Sequence, residues 1–421
     1  MTDLQRFTDA RAEGERIACL LRTTQAVRER CGQVLAWTRA GHSPWFEVDD
    51  DALEAAARRV ATLTRQLQAG QGGPIAGCWR RFAAGGVDRR TWLERLLAAD
   101  PPEQRTHARI DLALVCEYLG QAPEGDWSYT EAATGQVLTG REGLAVALWH
   151  AFCAGLFSSD PQRPLQADAA GLRGVVTDHL GRALQAGQAW PGLHACVIAL
   201  RRLGEVLSEQ PEVFGEAGRP SGLFDTLISP YGVAVPHTAD VRAHDILSQL
   251  LITLSGLTPG GAQVGGVALG DCWGHPAAQG ADAAEGWVPL HAGMQAITCA
   301  LLEPFEWAGV QVRELSALTA PADVLHGNLL LDTVVLRLRD PQTARPVWPR
   351  DAQIVIEWRA LTVALLEELA PRVQHHRGQG DGGLGTAGLL IGRLEPAARA
   401  LALLRPVGHP ALHVRDGLHV L

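Results

Sequence analysis

Apolar residues recur along most of the chain at the spacing of helical turns. After Thr24, the residues Val27, Cys31, Val34 and Leu35 fall on one stripe. After the acidic cluster 49–51, Leu53, Ala57, Val60, Leu63 and Leu67 form another. Steps of three and four place such positions on one helix face, and acidic residues favour a helix start. Comparable runs occupy roughly 103–119, 142–156, 169–186, 192–209, 239–255, 293–308, 352–375 and 384–404. Gly- and Pro-containing breaks separate them at 70–77, 120–126, 158–166, 215–222, 256–266 and 274–289. Strand signals are few. Residues 329–338 (LLLDTVVLRL) are partly β-branched and predict a strand, and 411–421 predicts a C-terminal hairpin around Asp416 and Gly417. The pattern therefore predicts a mainly α protein, a single large multi-helix domain over 1–421 with a few short strands. There is room for two lobes, and 1–21 reads as an N-terminal extension.

One segment departs from amphipathic patterning. IVIEWRALTVALL (354–366) is apolar on every side except at Glu357 and Arg359. A helix apolar all round is expected to be buried. Residues two apart on a helix point to different faces, so these two charges cannot satisfy each other. Each needs a partner elsewhere, because an unpaired buried charge costs several kcal/mol (rough scale). Such a pattern suits an interior site for a polar ligand; two structural ion pairs would produce it too.

Composition narrows the chemistry. The chain has 421 residues, 47% of them hydrophobic, enough for a large core. All 37 basic residues are arginine, which excludes lysine Schiff bases, lysine-anchored pyridoxal phosphate and a phosphate loop with its lysine. Anion recognition must rest on arginine, histidine or backbone amides. The net charge of −9 and the lack of an arginine-rich tract argue against nucleic acid as a partner. No run of eighteen apolar residues predicts a membrane span, and the polar, acidic start does not read as a signal peptide. Eight scattered cysteines without a CxxC pair read as reduced, mostly buried thiols, so a cytoplasmic setting is expected. GQGDGG (378–383) follows a helix rather than a strand and does not read as a dinucleotide loop. His375 and His376 lack HExxH spacing, and no G-x-S-x-G elbow is present. Neither a metal nor a cofactor is expected.

Polar clusters on loops remain as candidate chemistry. They are WRRFAAGGVDR (79–89) with Asp88, LFSSDP (156–161) with Asp160, LGDCWGH (269–275) with Asp271, Trp273 and His275, VPLHAGMQ (288–295) with His291 and Gln295, and LTAPADVLHGNLLLD (318–332) with Asp323, His326, Asn328 and Asp332. Each alone reads most simply as a cap or turn. Together they mix carboxylates, imidazoles and indoles, as a carbohydrate-like ligand requires.

The first four of these motifs, with REGLAVAL (141–148), RPSGLFDTL (219–227) and EWRALTVALL (357–366), resemble in the same order those of the uracil-catabolism family long filed as a domain of unknown function. The resemblance runs from about Arg22 onward. It implies a part in degrading uracil through a ribosylurea-type intermediate to urea. EWRALT, VPLHAGMQ and the acid at Asp323 are more weakly similar to the queuosine-salvage family of helical nucleoside hydrolases. By that analogy the substrate is a small ribosyl compound, and the reaction is hydrolysis of the N-ribosidic bond of ribosylurea or its 5′-phosphate. An N-ribosyl hydrolase needs a carboxylate to activate water and stabilise an oxocarbenium-like state. By that analogy Asp323 takes this role, with Glu357 as the second catalytic group, organising the ligand together with Arg359. Arg359, Asp271, Trp273, Trp358, His291, Gln295, Asn328, Asp332, Asp160 and Asp88 become substrate-binding candidates. Ala292, Gly274, Val324 and Leu325 stand where the resembled motifs carry polar residues. The alternatives are a ureide or amide hydrolase of the same pathway and a non-catalytic helical binding protein.

Overall fold

A computed structural model describes residues 3–68, 77–120, 127–186, 190, 192–228, 240–258, 262–280, 283–320, 322–378, 394–405 and 411–415. Most of GQGDGG, the start of the 384–404 run and residues 416–421 of the expected hairpin lie outside them. The fold is mainly helical, with short strands in two-stranded sheets. It divides into two compact units. One comprises Met1–Gly72, Thr258–Gln295 and Glu314–Asp416, and the other Gly73–Leu257, Ala296–Arg313 and Gly417–Leu421.

The first unit is built on the helix Gln353–His376, whose positions 354–363 are all buried. The all-round apolar sequence of this stretch leaves it no solvent face. It packs on the helices Thr24–Arg39 and Ala52–Gln68, which supply Val27, Cys31, Val34, Ala57 and Val60 to a common core. The helix Val324–Asp332 crosses it at Gly327. A β-carbon there would lie 2.5 Å from the Trp358 ring, so the close approach depends on glycine.

Residues 329–332 therefore belong to a helix and not to the expected strand. Leu329, Leu330 and Leu331 are all buried, and a continuous apolar run does not distinguish a buried helix from a buried strand. The chain turns at Val334 (φ +62°), and only Leu336–Leu338 is a strand, antiparallel to Phe46–Val48. His413–Arg415 pairs in parallel with Val347–Pro349, so the described part of the tail joins a distant strand. The stretches 256–266 and 274–289, read as breaks, each supply a strand to an antiparallel pair, Ala262–Val264 with Val267–Gly270 and Trp287–Pro289 with Cys272–Gly274. The segment read as an N-terminal extension forms the helix Asp3–Leu21, which buries Ile17, Ala18 and Leu21 against Leu269, Cys272 and Ala284.

In the second unit, the helix Pro102–Tyr118 packs on Gly77–Arg81 and Gly140–Cys153, and Leu193–Ser208 packs on Ala169–Gly174. The run 169–186 is two helices, Ala169–Gly174 and Thr177–Ala183, broken at the extended Val175 and Val176. Fully buried Arg89 forks onto Glu131 with both contacts at 2.6 Å, and His150 Nε2 lies 2.7 Å from the same carboxylate. No helix among the described residues is long and apolar enough to cross a membrane.

Candidate active site

The joint between the two glycine-rich strand pairs of the first unit positions the central carboxylate. Gly270 takes φ +80°, a conformation glycine adopts without steric cost, and Asp271 follows it. Arg359, on the buried helix, donates from Nη1 to Asp271 Oδ1 at 2.9 Å and from Nη2 to Oδ2 at 2.6 Å. Trp273 Nε1 donates to Oδ1 at 2.7 Å, and the backbone amide of Ala292, at the start of the next helix, donates to Oδ2 at 3.1 Å. Arg350 Nη2 stands 3.5 Å from Oδ1. Burial by itself would raise the pKa of Asp271. The charges of Arg359 and Arg350, with hydrogen bonds from Arg359 and Trp273, outweigh it and hold the carboxyl well below the usual carboxylate range. Asp271 is thus a permanent anion with both oxygens occupied. It orients Arg359 and is poorly suited to take a proton from water.

Arg359 also reaches the loop that carries the accessible acid. Its Nε donates to the carbonyl of Ala322 at 3.2 Å, next to Asp323. Asp323 caps the helix Val324–Asp332, accepting from the amide of His326 at 2.8 Å. His326 Nδ1 lies 2.8 Å from both Asp323 oxygens, so an ionised Asp323 places the proton on Nδ1. The Asp323 side chain is 37% exposed while Asp271 is 3% exposed, so the water-accessible carboxylate of this pair is Asp323.

Glu357 faces away from Arg359, as two-residue spacing requires. Its Oε1 accepts from Thr38 Oγ1 at 3.2 Å, and His275 Nε2 lies 3.6 Å from its Oε2. His275 Nδ1 accepts from the amide of Ala277, which leaves the ring proton on Nε2, pointing to Glu357. Trp37 closes over the imidazole edge-on at 5.3 Å. Fully buried Glu357 therefore sits in a closed polar pocket of its own. His291, in the left-handed region at φ +48°, has Nε2 3.0 Å from the carbonyl of Leu21 and a buried Nδ1 with no partner among the described residues. Burial pushes its pKa down, so it stays neutral.

The other candidates take structural partners. Gln295 clasps Thr319 through its amide and hydroxyl, Asn328 pairs with both backbone groups of Leu412, and Asp332 holds Arg405 by two contacts of 2.6 and 2.8 Å. Trp358 fills the core against Gly327, its Nε1 buried without a partner among the described residues. Asp88 and Asp160 lie in the second unit, where Asp88 caps the helix Arg89–Leu96 and Asp160 accepts from the amide of Gln162 in a turn. The sequence reading thus named a group of which Asp271, Trp273 and Arg359 meet directly, with Asp323 adjoining through Ala322. It missed Arg350, Thr38 and the pairing of His275 with Glu357. Arg350 carried a usable signal, because a cation just before a helix opposes the helix dipole and calls for an anion.

The profile of the family described as "Protein of unknown function (DUF1688)" matches residues 20–416. "Uracil catabolism protein 4" of Lachancea kluyveri is 28% identical over 327 residues, 71% of this chain and 74% of that protein. "Protein urg3" of Schizosaccharomyces pombe is 29% identical over 363 residues, 84% of this chain and 86% of its own. The matched span takes in every residue of the cluster, from Leu21 to Arg359, and nearly the whole chain; the chain belongs to the DUF1688 family.

Proposed function

We propose that the chain is an enzyme of uracil breakdown that hydrolyses the N-ribosidic bond of ribosylurea or its 5′-phosphate, giving urea and ribose or ribose phosphate. The name of the L. kluyveri relative supports the pathway. Supporting the chemistry is one observation above the rest: a carboxylate 37% exposed, Asp323, follows directly on Ala322, whose carbonyl accepts from a buried guanidinium that Asp271 fixes in place. Asp323 accepts a proton from water as the water oxygen bonds to the anomeric carbon and the carbon–nitrogen bond breaks. Urea is a poor leaving group as an anion, so its nitrogen must be protonated as it departs. The proton Asp323 takes up equals the one the leaving nitrogen requires, and the Asp323–His326 pair is the relay. Arg359 keeps the Ala322–Asp323 backbone in register, and Glu357 holds His275 at the far side of the helix.

The test is direct. Purified protein is incubated with ribosylurea and, separately, its 5′-phosphate, and urea is assayed. Release with one of them is expected, and Asp323→Asn should lower it by roughly 10²–10⁴-fold with the circular dichroism spectrum unchanged. No release from either compound, or undiminished release by the variant, would refute the assignment.

A further inference from the structure

A second set of ligand-type side chains stands in the second unit, on a motif the hydrolase reading leaves unused. Glu103, His107 and Asp111 recur every four residues on the helix Pro102–Tyr118 and so share one face. RPSGLFDTL meets that face. Buried Asp111 accepts from Arg219 Nη2 at 2.6 Å and from the amide of Ser221 at 2.8 Å, which clamps the segment and the helix Gly222–Ile228 that follows. Asp225, on that helix, is thereby brought 2.9 Å from His107 Nε2. One ligand atom each from Glu103, His107 and Asp225 lie within 4.8 Å of one another.

The charge balance separates this cluster from its surroundings. In the same unit Glu94, Asp111, Glu117 and Glu131 are each paired with an arginine. Glu103 and Asp225 converge on one imidazole, and among the described residues no arginine bonds to either. Two like charges so placed repel unless a cation lies between them. The geometry points to a divalent transition-metal site formed by Glu103, His107 and Asp225, with a borderline ion such as Zn²⁺ as its ligand. Imidazole and carboxylate suit that ion, and three protein ligands leave a fourth position for water. Ligands about 2.1 Å from one ion are roughly 3.4 Å apart at a tetrahedral angle, a closure the exposed Glu103 side chain supplies. His107 offers its Nε2 lone pair by moving its proton to Nδ1. No local motif announces the site, because the third ligand is more than a hundred residues away in the chain.

Equilibrium dialysis of the full chain against buffered Zn²⁺ tests this, with Co²⁺ as a spectroscopic probe. One saturable Zn²⁺ per chain is expected, weakened at least tenfold by His107→Ala and by Asp225→Asn, with unchanged circular dichroism. Cobalt should show weak visible bands and no thiolate charge-transfer band. A cobalt–thiolate band, retention of zinc by both variants with loss on His375→Ala/His376→Ala, or no saturable uptake would each overturn the site.

Discussion

Replacing Asp271 by Asn removes one charge from a pair that water does not reach. Arg359 is only 6% exposed, so its guanidinium would be left in the core without a counter-ion. The amide cannot substitute. Oδ1 receives Trp273 and one arm of Arg359, and Oδ2 receives the other arm and the Ala292 amide. Either amide orientation therefore aims an NH₂ at two donors. Breaking a buried pair from one side costs about 3–5 kcal/mol, a large part of a typical stability of about 5–15 kcal/mol. The loss should also depend on pH. The folded-state pKa of Asp271 is depressed, so its contribution is complete above the unfolded value of about 3.9 and fades as pH falls through the folded value. Between about pH 5 and pH 2 the parent should lose stability more steeply than Asp271→Asn. With two compact units, a single unfolding midpoint is a poor reporter. Amide hydrogen exchange of the helix Gln353–His376 by mass spectrometry reads the first unit alone. Referred to intrinsic rates at pH 7, exchange there should accelerate by roughly two to four powers of ten. Asp271→Leu/Arg359→Met, which removes both charges, should recover most of the protection. An acceleration below about fivefold in the single variant, or identical acid slopes, would show that the pair is not the buried anchor described.

Other outcomes follow from the same reasoning. Gly327→Ala drives a β-carbon into the Trp358 ring and should cost about 1–3 kcal/mol, read as faster exchange in the helix Val324–Asp332. In the second unit, burial pushes Glu131 up, yet Arg89, Thr134 and His150 hold it at about 2. Its stabilisation is present above about pH 4.3 and fades toward pH 2, so Glu131→Gln should cost about 3–5 kcal/mol at pH 7 and flatten acid unfolding there. Iodoacetamide under native conditions should label exposed Cys19 first; Cys153, pushed up to about 12 by burial, should react far more slowly. The six buried thiols should react only on unfolding, as peptide mapping will show.

Helices were legible where one face is apolar, as in 24–39 and 52–68, because burial of that stripe is what stabilises them. Burial of Glu357 and Arg359 was legible for the opposite reason, an apolar segment with no face to spare. Leu329–Leu331 misled, since a short apolar run fits a covered strand as well as a covered helix. The small sheets of 262–289 escaped because each strand is only three or four residues long, too short for an alternating pattern to stand out. Within the site, residue types were readable and partnerships were not. Asp271 and Arg359 are 88 positions apart, and nothing in the spacing says that one saturates the other. Nor does any local pattern distinguish Asp271, sealed among donors, from Asp323, open at a helix start.

The first unit is assembled from three stretches of chain, with the whole 73–257 segment emerging between the first and the second. During synthesis the helices Thr24–Arg39 and Ala52–Gln68 must wait for Gln353–His376, the element that covers their apolar stripes. At about 5–20 residues per second that delay is on the order of tens of seconds. Through it, Val27, Val34 and Val60 have no permanent partner, so the nascent chain is exposed to aggregation and to chaperone capture at its leading end, while the second unit's 73–257 segment can already collapse.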